Sequence, residues 1–187
     1  AFALAWLAEG GRCGQRFVTG AILCGLAAAP VSLGLQGLDA LGAPLARLAE
    51  PLVWQTALDT SFGWTVLIAL IALGLGLLSL VVPRRDAKLF ALAGLAGVGA
   101  ALAASGHASA AEPQWLTRPM VFLHGVGIAF WAGALVPLAA TFASRSPDAM
   151  TVLRRFSVAG PFPVLPLLAA GRPFATLSPS RARTALT

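Results

Sequence analysis

Charge is scarce in this chain: Asp, Glu, Lys and Arg together supply 11% of its 187 residues, while 58% are hydrophobic. A soluble domain carries roughly 25% charged residues, so the shortage excludes an ordinary water-facing globule. Cysteine occurs twice, as Cys13 and Cys24, with no CxxC spacing. That pattern gives no disulfide framework, and a cysteine inside an apolar run behaves as a small hydrophobe. Also missing are a phosphate-binding P-loop, a dinucleotide glycine fingerprint, HExxH and Gly-x-Ser-x-Gly, each of which would supply a recognisable catalytic geometry. Nothing supports soluble catalysis, and the chain reads as a non-enzyme. The formal net charge of +6 does not point to nucleic acid, because in a membrane protein Lys and Arg chiefly set orientation.

What is present is a series of long uncharged runs, at 17–38, 60–83, 89–111 and 119–144. Each exceeds the roughly 20 residues that a helix needs to cross about 30 Å of hydrocarbon. The expected fold is therefore all-α, a polytopic transmembrane helix bundle with spans at about 17–38, 60–83, 89–108 and 119–143. A fifth, short or truncated, is placed at 157–171, where Pro161, Pro163 and Pro166 interrupt helical hydrogen bonding. Residues 1–8 are apolar, include Trp6 and lack the positive opening of a secretory signal. We read 1–16 as the tail of an earlier span and a cytoplasmic loop, 17–171 as the transmembrane domain, and 172–187 as an irregular basic tail. The abrupt change to Ser, Pro and Arg after Gly171 is what a disturbed coding frame there produces.

The charges between the runs assign sides. Arg12 and Arg16 precede the first span, Arg84, Arg85 and Lys88 separate the second from the third, and Arg145, Arg154 and Arg155 follow the fourth. These alternate loops are expected to be cytoplasmic. The opposite side carries Asp39, Arg47, Glu50 and Asp59 in one loop, and Glu112 and Arg118 in the other, so the loop 105–119 is expected in the periplasm. Residues 45–54 mix apolar and charged side chains as a short interfacial helix does. Trp54, Trp64 and Trp115 fall at outer boundaries as anchors. Small residues at helical spacing, Ala93, Gly97 and Ala101 on the third span and Gly125, Ala129 and Gly133 on the fourth, mark these two spans as a close antiparallel pair.

The two histidines of the chain are His107 and His124. Both fall at the same end of the third and fourth spans, where an ionisable or metal-binding group at membrane depth is costly and marks a functional candidate. Met120 precedes His124 by four residues and shares its helical face. Two imidazoles and a thioether make a metal site at the rim, and the thioether selects soft ions such as Cu(I). Asp59 and Glu50 are weaker candidates for cation capture. Thr60, Ser61 and Gly63 read as a helix cap.

Several strings resemble a known family. Ala104-Ser105-Gly106-His107-Ala108, then His124 followed by Trp131, Gly133, Leu135, Pro137 and Leu138, then Leu153-Arg154-Arg155-Phe156-Ser157, look like the copper resistance protein D family of bacterial inner membranes. Thr60-Ser61-Phe62-Gly63-Trp64 is similar to that family's entry to a span, and the resemblance extends over 47–159. It implies copper uptake or resistance, a copper ion bound by His107 and His124, and a periplasmic copper-binding protein as partner beside the lipid bilayer. Trp131, Gly133 and Pro137 then hold packing positions. The residues themselves leave two alternatives open. One is electron transfer, with His107 and His124 as axial ligands of a b-type haem between the third and fourth helices; the other is a membrane scaffold without chemistry. On the charge pattern, a reporter fused after Arg85 is expected in the cytoplasm and one after Ala110 in the periplasm; the reverse result would remove the outward-facing site.

Overall fold

The structure is a computed structural model that describes residues 1–6, 12–104, 114–143 and 149–161. The elements among the described residues are all helical. In chain order they are α1 (Phe2–Trp6), α2 (Arg12–Leu41), a 3-10 turn (Leu45–Arg47), α3 (Pro51–Leu58), α4 (Ser61–Leu78), α5 (Arg84–Ala104), α6 (Gln114–Ala143) and α7 (Ala149–Ala159). Four stretches, Gly14–Leu41, Ser61–Leu78, Arg84–Ala104 and Gln114–Ala143, are long and apolar enough to cross a membrane. The fold is an all-α helical membrane bundle.

Local chemistry sets the ends of these helices. The Thr60 side chain accepts a hydrogen bond from the Gly63 amide at 3.3 Å, which satisfies one of the orphan donors at the start of α4. Its hydroxyl also donates to the Ala57 carbonyl at 2.7 Å, so one side chain joins the end of α3 to the start of α4. Pro51 opens α3, where its missing N–H costs nothing. α2 stops at Gly42, whose φ of 59° is the left-handed conformation that glycine adopts without a Cβ penalty. At its other end α2 begins at Arg12, so residues 12–16, expected as loop, are helical. Hydropathy marks where hydrocarbon ends, and a helix does not have to stop there.

α5 occupies the middle of the bundle, packed against α4 on one side and α6 on the other. Ala87, Ala91, Gly94 and Ala101 are buried along it. A Cβ at Gly94 would lie 2.9 Å from the Ala72 carbonyl oxygen and 3.1 Å from the Gly76 nitrogen, and one at Gly97 would meet the Ala72 Cβ at 2.6 Å. On the α6 side, a Cβ at Gly99 would lie 2.7 Å from the Phe122 carbonyl oxygen, and one at Gly125 would lie 3.3 Å from the Gly99 Cα. Such approach of backbones is how helices gain dispersion energy in lipid, where no hydrophobic drive brings them together. The expected third–fourth pair therefore forms, through Gly125 as expected but with Gly99 as its counterpart on α5. Ala93 is exposed, and nothing lies within 4 Å of a Cβ at Gly133. Spacing in sequence gives the period of a packing stripe without its phase, and α5 has two neighbours to serve.

At the other end of α6, α7 folds back along its partner. The Trp131 Nε1 donates to the Gly160 carbonyl at 3.0 Å, and the Phe130 ring stacks on Phe156 with centroids 5.8 Å apart. Phe2 of α1 meets Phe130 edge-on at 5.7 Å, so α1 is pinned against α5 and α6. Helix thus starts at Ala149, ahead of the expected onset of a fifth span at 157, while the rest of that span and the basic tail, 162–187, lie outside the described residues. Cys24, expected among buried hydrophobes, is a free thiol on the exposed face of α2. Gly94→Ala is expected to destabilise the detergent-solubilised protein by about 1–3 kcal/mol, the cost of overpacking a close contact, whereas Gly133→Ala should be neutral or slightly stabilising; thermal unfolding of the two variants checks this.

Candidate functional site at the shared end of α5 and α6

α5 ends at Ala104 and α6 begins at Gln114, so the C-terminus of one helix and the N-terminus of the next share one end of the bundle. The contacts of Gly99 with Phe122 and Val126, and of Gly125 with Leu102, fix the register between them. His124 therefore sits level with residues around 99–102, a little over one helical turn, about 6 Å at 1.5 Å per residue, below the end of α5. Gly125 faces α5; His124, one residue earlier and about 100° round the helix, is exposed. Met120 lies one turn nearer the helix start and is half-buried. At a separation of four residues the two side chains are neighbours on one face, with Cβ atoms about 5–6 Å apart.

The sequence-derived pair of histidines is only partly within view. His107 lies outside the described residues. Among the described residues no group of three or more His, Cys, Asp or Glu is arranged to hold a metal ion. His124 and Met120 are the candidate residues within the described structure, and helical spacing puts them on one face of α6.

The segment joining α2 to α4 closes over α2 at the same end of the bundle. Val53 is fully buried against Gly37, where any Cβ would collide with the Val53 carbonyl oxygen. Trp54, expected as an interfacial anchor, is instead a peg: its Nε1 donates to the Leu48 carbonyl at 2.8 Å, and its ring lies against Gly34. Gly34, one of five glycines in α2, was the available signal for that socket. Trp64 and Trp115 are 65% and 76% exposed, the placement that an indole at a membrane boundary takes.

The carboxylates considered for cation capture differ. Asp59 is exposed. Glu50 is engaged by Arg47, whose Nε and guanidinium nitrogen donate to its two oxygens at 2.8 and 2.6 Å. The hydrogen bond from Arg47 holds the Glu50 carboxyl below its ordinary value, and the Arg47 guanidinium is raised in turn by Glu50. Both side chains are open to solvent over nearly half their surface, so this pair fixes the local geometry of the segment more than it stabilises the fold.

A family model described as copper resistance protein D-like, N-terminal domain, matches residues 1–116. That is well over half of the chain. It belongs to the copper resistance protein D-like family. The matched residues run from α1 through α5 to the first residues of α6; they include His107 and stop short of Met120 and His124. No curated protein and no solved structure matches the chain. The family ties the protein to copper resistance and handling in general, and the four apolar helices make it a membrane protein.

Proposed function

We propose that this copper resistance protein D-like chain receives copper at the periplasmic face of a bacterial inner membrane and forms part of a permease that passes it inward. The observation that carries this reading is the family match over 1–116, which takes in His107 in the segment between α5 and α6. Copper is the cargo here. The proposed receiving site combines His107 and His124 with the Met120 thioether, a donor set of imidazole and soft sulfur suited to Cu(I).

Helical spacing supports part of the set: Met120 and His124 share one face of α6, and His124 is exposed rather than locked in the α5 contact. The side assignment rests on the clustering of Arg and Lys in alternate loops. A periplasmic copper-binding protein is the proposed donor of the ion, and the chain itself catalyses no covalent step. The haem alternative fits less well: Gly99 and Gly125 bring α5 and α6 into near backbone contact at the level of His124, which leaves no slot for a macrocycle between them there.

Ligands of one ion are coupled energetically, so their losses do not add. Substituting Ala for either histidine is expected to weaken Cu(I) binding by more than the roughly 10–100-fold that a lost outer-shell partner costs, and the double substitution should cost little more. Met120→Leu keeps volume and apolarity while deleting the sulfur, so Cu(I) should weaken more than Zn²⁺. Chelator competition on the purified variants reads all of these. Wild-type affinity in the double histidine variant, or strictly additive losses, would dissolve the proposed site.

A further inference from the structure

A second site is independent of copper. Between α1, α5, α6 and α7 runs a cavity of about 650 Å³ whose walls include Phe2, Leu95, Val126 and Phe130, and whose rim carries Arg154 and Arg155. Both arginines are exposed on adjacent positions of α7. We propose that this groove holds an anionic phospholipid, with its phosphate at the edge that carries Arg154 and Arg155 and an acyl chain along the apolar wall.

Two observations select that occupant. The first is chemistry: the lining is almost wholly apolar apart from Thr151 and the two arginines, a division that matches a molecule with one charged end and one hydrocarbon end. Guanidinium is also the side chain best shaped for phosphate oxygens. The second is sidedness. Arg154 and Arg155 belong to the cluster that the charge pattern assigns to the cytoplasm, where a basic pocket between membrane helices meets anionic headgroups.

The occupant is distinguishable from its competitors. Native mass spectrometry of the detergent-purified full chain should retain phosphatidylglycerol over phosphatidylcholine, and Arg154→Gln with Arg155→Gln should erase a preference of roughly 30-fold, as expected for two basic residues at a membrane surface. Val158→Trp, which narrows the groove and keeps both charges, should weaken retention of the diacyl lipid. A photoreactive phosphatidylglycerol bearing its probe on the acyl chain should label the wild-type protein at Leu95, Val126 or Phe130, which reads the site without any substitution. An unchanged preference in the double Gln variant, labelling elsewhere, or displacement of the lipid by inorganic phosphate at similar concentration would overturn the proposal.

Discussion

The approach of α5 to both its neighbours through bare backbone is the constraint on which the rest of this bundle depends. Lipid offers no hydrophobic drive for helices to associate, so contact has to be earned by fit, and Gly94, Gly97, Gly99 and Gly125 supply that fit. The α4 contact holds α5 in the centre. The α6 contact sets the register that brings His124 to the level of the last turn and a half of α5. A Cβ at Gly99 or Gly125 would press on the Phe122 carbonyl or the Leu102 side chain, and the depth of His124 below the end of α5 would change with it.

The same register organises the opposite half of α6. Phe130 is held by Phe156 from α7 and by Phe2 from α1, and Trp131 closes on the Gly160 carbonyl. Trp131 lies in the string that carries the family resemblance, and its role is to dock α7. One helix therefore carries the glycine contact with α5 around Gly125 and, further along, a docking face for two other helices.

Hydropathy and charge made the four spans and the helical class legible, because the cost of placing charge or unpaired backbone in hydrocarbon leaves few alternatives. The cap at Thr60 was legible as well, since its chemistry is local. Phase was legible only in part. Gly97 and Gly125 of the small-residue pattern do make contacts, but Ala93 and Gly133 are exposed, and Gly94 and Gly99, outside the pattern, make the others; nothing in one sequence says which side of a helix its neighbour occupies. Trp54 was read by position as an anchor and turned out to fill a socket made by Gly34, a contact between residues twenty apart that periodicity does not encode. Of the candidate site residues, Met120 and His124 both lie on a helix, α6, as the hydropathy implied. His107 depends on a segment whose geometry lies outside the described residues.

The central claim is a single copper ion shared between the α5–α6 segment and the first turns of α6. X-ray absorption at the copper edge of Cu(I)-loaded protein tests it most directly, because it reports the donor atoms themselves. The account predicts two imidazole nitrogens with one sulfur, and loss of one imidazole with His124→Ala. A spectrum without imidazole scattering, or one that His124→Ala leaves unchanged, would contradict it.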